Sequence, residues 1–367
     1  MILVGAGHVH LYIAARAESF VERGVRLVLI DASAFWYSGL ATGMLGGEYQ
    51  PAEDQVDPKA LIEAHGGEFI QDWVDRVDVA GRRLHLAGGG DLSYDYLSIN
   101  VGSRVNSNLI DGAAGDSSVW SVKPISNLWR LREHLERQFQ SDNAPRVVVV
   151  GGGPTGSEIA ANLTALARRH AIDLPVTLVT SGDRLIKQAP AGAARSLREI
   201  LTQHGVIVRT HTRIVRREPG ALIIADDGRI AADLVVLAVG LEANSLVDQT
   251  GLPARAKAGL RVNACLHSIA DERVFAGGDC AAMEGFDLPK LGVFGVRQAT
   301  YIHANLLARL DGCPLIEYVP QKRYLAILNL GDGTGMSTWG PFWWRGRSSM
   351  WLKDFVDRRF LREFQQR

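Results

Sequence analysis

Cysteine is scarce in this chain: its 367 residues contain three, at Cys265, Cys280 and Cys313, far apart and with no Cys-X-X-Cys spacing. That argues against a disulfide scaffold or a zinc site and fits a reducing cytoplasm. Charge of one sign is lacking as well. Lys+Arg and Asp+Glu each number 40, so no global basic field gathers nucleic acid. No run of about 18 apolar residues is present to span a membrane as a helix. The opening residues lack the charged start and long apolar stretch of a signal peptide. What the composition does supply is a hydrophobic fraction of 47%, ample for the cores of two or three domains.

Three glycine-centred motifs stand out against this background: GAGHVH from Gly5, GGGPTG from Gly151 and GGDCA from Gly277. An apolar run precedes each of the first two, Met1 to Val4 and Arg146 to Val150. Strand, glycine turn and helix in that order make a dinucleotide site, because a helix N-terminus presents free N–H groups to a pyrophosphate. In the first unit Gly5 permits the tight turn, Gly7 lets the backbone approach the phosphates, and His8 belongs with them in the cofactor set. His10 replaces the third glycine, which predicts looser packing of helix on strand. Asp31 ends the next apolar run, Arg26 to Ile30, where an acid accepts hydrogen bonds from a ribose.

The second unit has the full spacing, Gly151, Gly153 and Gly156, with Pro154 and Thr155 in the first helical turn. Its ribose acid is missing, because Val179 is followed by Thr180, Ser181, Gly182, Asp183 and Arg184. A 2′-phosphate is not repelled there and Arg184 is placed to pair with it, so NADPH is weighed slightly ahead of NADH. A vestigial site is the third option. Glu158, just inside the helix, reads either as a partner of the helix dipole or as a group beside the nicotinamide. In the third motif Gly278 makes the turn and Asp279 is a carboxylate suited to ribityl hydroxyls. A helix expected from Pro289 would point its N-terminus, at Leu291 and Gly292, toward the pyrimidine edge of a flavin. Lys290 lies in the same turn and is a second candidate catalytic group.

The rest of the chain reads as an insertion pattern. A helix over His10 to Glu22, β-ribbon from Phe69 to Ile99, a helix over Ser126 to Phe139 and a polar breaker at Ser141-Asp142-Asn143-Ala144-Pro145 precede the second unit. The predicted fold is α/β, with two Rossmann-like dinucleotide-binding domains and a small C-terminal α+β segment. Residues 1–116 and 256–316 form the FAD-binding domain, 117–255 the NAD(P)-binding domain that interrupts it, and 317–367 the tail.

These motifs in this order resemble the pyridine nucleotide–disulfide oxidoreductase superfamily over nearly the whole chain. Tyr94 to Gly102 looks like the segment that closes the first FAD half, and Leu237-Ala238-Val239-Gly240 like its counterpart after the second domain. The resemblance also brings Ala32 and Val74 into the cofactor set. With no cysteine before Cys265, the disulfide reductase and sulfide:quinone reductase branches do not fit, and the type II NADH dehydrogenase branch remains. Within it the chain is similar to flavoproteins found alone or fused to selenide, water dikinase, on GAGHVH, Tyr37-Ser38-Gly39, Val122 to Ile125, Leu288 to Gln298, Leu328 to Thr334 and Trp351 to Arg359. Quinone-reducing relatives carry an Ala-Gln pair where this chain has Gly292-Val293.

The resemblance implies FAD, NADH or NADPH, hydride transfer to the flavin and a small-molecule electron acceptor: a quinone, dioxygen, a dye-like compound, or a sulfur or selenium species. A flavin-bearing interaction module with a dead second site is the rival reading. The tail places Trp339, Phe342, Trp343, Trp344, Trp351, Phe355 and Phe360 among arginines. That mixture fits peripheral contact with the inner face of a membrane, and equally docking on the protein's own flavin domain or in a homodimer.

Overall fold

The computed structural model describes residues 1–141 and 144–365. Asp142 and Asn143 of the expected polar breaker lie outside the described residues. Short, wholly apolar strands such as Ile2–Val4 and Val147–Val150 bury both faces, and that pattern belongs to parallel sheets covered by helices. Two such sheets form. The first runs Val274–Ala276, Leu97–Ile99, Ile2–Val4, Val28–Ile30, Glu68–Ile70, all parallel, so its edge strand comes from late in the chain. The second runs Val119–Ser121, Leu234–Leu237, Val147–Val150, Val176–Val179, Ile207–Arg209, again all parallel.

In each sheet the strand before the glycine turn is central, with neighbours reached in opposite directions along the sheet. Both turns therefore lie at the crevice where open α/β sheets bind ligands. The two chain crossings between the sheets pair with each other, Ser103–Val105 running antiparallel to Leu241–Ala243. Gly102 and Gly240 begin these crossings with φ of 70° and 67°, in the left-handed region that glycine tolerates. An antiparallel sheet (Leu325–Asn329, Gly335–Trp339, Phe342–Gly346) and the helix Arg347–Phe364 complete the chain.

Two expectations about helices are corrected. The helix expected over His10 to Glu22 starts at His8 and stops at Ala14, resuming at Glu18–Val21. Between them Arg16 and Ala17 donate to Ile13 and Ala14, so the chain tightens into three-residue turns around the sheet edge. The helix expected from Pro289 begins at Gly292, because Leu291 is extended at φ −130°.

Candidate active site

The first glycine turn is held from three directions. Gly5 adopts φ 86° and donates its N–H to Ile30 at 2.8 Å. A Cβ on Gly5 or Gly7 would collide with Asn100. Asp31 lies across the turn, one carboxylate oxygen accepting from Ala6 N–H at 2.6 Å and the other from Ser33 N–H at 3.0 Å. Burial pushes its pKa up, and these backbone donors work against that. The carbonyl of adjacent Ala32 accepts from Gln71, and Val74 begins the strand Val74–Asp78, partly buried against the core.

His10 does not loosen the turn, as its place in the motif predicted; it closes it. The ring is fully buried, Nδ1 bonding the Gly5 carbonyl and Nε2 the Ser98 hydroxyl at 2.8 Å. The carbonyl can only accept, so Nδ1 carries the proton and Nε2 accepts from Ser98. Burial drops its pKa to about 4, so the ring is neutral.

The GGD turn meets this one through Asn100, which sequence reasoning missed. Its Oδ1 accepts from Val9 N–H at 3.0 Å and its Nδ2 donates to the Gly277 carbonyl at 2.6 Å. Gly278, at φ 69°, donates its N–H to buried Gln298 at 2.7 Å. Asp279 accepts from the Ser103 hydroxyl at 2.6 Å. Lys290 Nζ donates to the carbonyls of Asp279 and Ala258, so it ties the two segments together beside the turn. Cys280 is fully buried, with its thiol pushed up to about 11 by burial, an inert packed group.

The helix after each nucleotide turn begins without a side-chain cap, at Gly7 and at Gly153, and the helix at Leu291-Gly292 does the same. None of the three N-cap residues caps its helix with its own side chain, the arrangement that suits pyrophosphates and an electron-rich flavin edge, although Asn100 already takes the Val9 N–H of the first helix. Nothing lies within 4 Å of where a Gly153 Cβ would stand, leaving room over that turn. Gly156 differs, since a Cβ there would run into the Gly151 carbonyl beneath it. The donor set fits FAD on the first sheet and a nicotinamide dinucleotide on the second.

Thr155 is exposed in the first turn. Arg184, weighed for a 2′-phosphate, donates to the carbonyls of Lys187 and Ala189 in its own loop. Thr180 accepts from the Gly182 N–H, in the place of a ribose acid.

Glu158 is drawn toward the first domain. Its Oε1 accepts from the Asn329 N–H at 2.7 Å and the Thr42 hydroxyl at 3.4 Å. Burial raises its pKa, against the nearby charge of Lys353. His8 is wedged between the two flavin-side helices, its ring 3.3 Å from where a Gly292 Cβ would stand and edge-on to Phe35 at 5.1 Å. Burial, then the charge of Lys123, lowers its pKa to about 4 and keeps it neutral. The structure therefore gathers Gly5, Gly7, His8, His10, Asp31, Gly278, Asp279, Leu291 and Gly292 on the first sheet. Gly151, Gly153, Thr155 and Gly156 lie on the second, with Glu158 reaching between.

Among relatives, a type II NADH:quinone oxidoreductase of Haemophilus influenzae is 27% identical over 359 residues, covering 85% of this chain and 80% of its own length. The demethylphylloquinone reductase of a Synechocystis species is 26% identical over 362 residues, with 92% and 88% covered. Among solved structures, NDH2 of Plasmodium falciparum in complex with NADH superposes with a TM-score of 0.85 at 15% identity, covering 99% and 97%. The sulfide:quinone oxidoreductase of Aquifex aeolicus follows the same fold at a TM-score of 0.81 and 16% identity, covering 99% and 91%. Residues 1–301 match the family model described as pyridine nucleotide-disulphide oxidoreductase, and this chain belongs to that family.

Proposed function

We propose that the protein is an FAD-dependent oxidoreductase that takes hydride from NADH or NADPH and passes the electrons to a quinone. The observation that carries the reading is the pair of glycine-led helix N-termini on two parallel sheets, with half-buried Glu158 reaching from one to the other. FAD, when bound, supplies the two-electron acceptor. The chain holds it through Gly5, Gly7, Asp31, Asp279 and the backbone at Leu291 and Gly292. Glu158, Thr42 and Asn329 position the nicotinamide end, and exclusion of water strengthens every charge placed there. The quinone is argued from the named activities of the two relatives above.

Purified holoprotein tests this by absorbance. Bleaching of the flavin within seconds of adding NADH or NADPH, and its return on adding a soluble quinone, is the expected result. No bleaching with either nucleotide sinks the reading.

The surface supports a peripheral location. No helix among the described residues is long and apolar enough to cross a membrane. Trp351, Phe342 and Phe355 are nevertheless 71%, 64% and 63% exposed, beside Arg345, Arg347 and Arg359. We read this as a surface that rests on a membrane holding the quinone. The division at residues 1–116, 117–255, 256–316 and 317–367 is proposed with it, the last segment bridging the two nucleotide domains.

A further inference from the structure

The two nucleotide units repeat one backbone with different side chains. Gly5 N–H donates to the Ile30 carbonyl at 2.8 Å, and Gly151 N–H to the Val179 carbonyl at 2.9 Å. One residue on, Asp31 N–H meets the Ile70 carbonyl at 3.2 Å, and Thr180 N–H the Arg209 carbonyl at 2.9 Å. The strand Glu68–Ile70 flanks Val28–Ile30 as Ile207–Arg209 flanks Val176–Val179, both in parallel. Thr180 therefore stands where Asp31 stands, and Arg209 where Ile70 stands.

The charge at these positions is reversed. Asp31 gives one oxygen to Ser33 N–H, two residues on, and the other to Ala6 N–H in the glycine turn. Thr180 repeats the first bond, its hydroxyl accepting from Gly182 N–H at 3.2 Å. It has no second oxygen, and its Cβ lies 2.6 Å from where a Cβ on Gly152 would stand. A small neutral group thus fills the place of the acid that would accept from a ribose. At the end of the flanking strand Arg209 and, two residues on, His211 are exposed. Among the described residues neither side chain is held in an ion pair or a hydrogen bond. His211 N–H donates to the Gly182 carbonyl and Thr212 N–H to the Thr180 carbonyl, both at 2.9 Å, which keeps this segment beside Thr180. Two residues past Ile70, the first unit has Asp72 instead. Asp183, exposed in the Thr180 loop, is offset in charge by Arg184, whose Nη2 is tied to carbonyls of its own loop.

We propose that the second site is built for NADPH in preference to NADH, with Thr180 admitting the 2′-phosphate and Arg209 and His211 holding it. This rests on the hydride transfer read above and fixes the hydride donor. A ribose 2′-hydroxyl can donate to a carboxylate, whereas a 2′-phosphate only adds negative charge beside one. The unit with Asp31 accordingly suits the free 2′-hydroxyl of FAD, and the unit with Thr180 suits a phosphorylated ribose. A guanidinium takes a phosphate through two parallel N–H bonds, a pairing that NADH leaves unmade.

The test uses the holoprotein, Thr180→Glu and Arg209→Ala. Wild-type kcat/KM favours NADPH over NADH at least about tenfold. Thr180→Glu reverses that order, and Arg209→Ala raises the KM for NADPH about tenfold more than the KM for NADH. Calorimetric binding of 2′,5′-ADP and of 5′-AMP reads the phosphate site with no hydride transfer. The wild type binds 2′,5′-ADP at least about tenfold more tightly than 5′-AMP, and Thr180→Glu loses that difference. Equal or better use of NADH, equal binding of the two adenosine phosphates, or variants that keep the wild-type ratios overturn the proposal. No bleaching with either nucleotide overturns the activity, and 2′,5′-ADP binding then decides the phosphate site alone. Should Thr180→Glu not accumulate, the wild-type ratios and the exposed Arg209 decide the matter.

Discussion

At the scale of single residues, uncharged Asn100 ties the two flavin-side turns to each other. It is 4% exposed and joins two turns, one 91 positions before it at Val9 and the other 177 positions after it at Gly277. Asn100→Ala orphans the Val9 N–H and the Gly277 carbonyl together, a loss of about 1–3 kcal/mol for each buried partner. The expected outcome is a lower melting temperature and flavin lost on gel filtration; a full flavin complement would show that the turns hold without it. Glycines and a carboxylate at fixed spacing were legible because their chemistry is local. His10 was misread because its partner, Ser98, is 88 residues away. Nothing near position 54 marks the buried acid there as different from a surface Asp, and Lys353 and Asp357, whose charges act on it, arrive from the far end of the chain.

At the scale of elements, the two glycines of the second turn do different work despite one motif. Gly153 has φ −75° and open space around its missing Cβ, whereas Gly156 sits on the Gly151 carbonyl. Gly153→Ala should leave the melt within about 0.5 kcal/mol of wild type yet raise the KM for NAD(P)H. Gly156→Ala should lower the melt itself; equal melts for the two would refute the distinction. The aromatic and basic mixture of the tail was legible, but not which of its residues face inward. In the helix Arg347–Phe364, Phe355 and Val356 face out while Met350, Lys353, Asp357 and Leu361 face in. An ion pair four residues apart satisfies itself and can be buried whole. Replacing Trp351 and Phe355 with Glu should therefore abolish flotation with anionic liposomes and leave the melt unchanged.

At the scale of the whole molecule, the tail ties the two nucleotide sheets together. Asp332 meets His204 at 3.3 Å and the Gly331 carbonyl takes Arg168 on the second unit, while Lys353 and Asp357 hold Gly39 and Tyr37 on the first. A titration inside that joint must register in global stability. Burial, then the charge of Asp357, raises the Asp54 pKa from 3.8 to about 8, with Lys353 opposing. Between those values the native state holds a proton that the unfolded chain has released, so stability falls as pH rises through the window. The slope is about 1.4 kcal/mol per pH unit, levelling off above the folded pKa. Asp54→Asn has no proton to lose. Urea midpoints at pH 5 and pH 9 should then show the variant gaining on the wild type by several kcal/mol at the higher pH. A difference that stays constant between the two would mean that Asp54 is already ionised at pH 5, and the wild type would then carry an unpaired buried charge across the whole range.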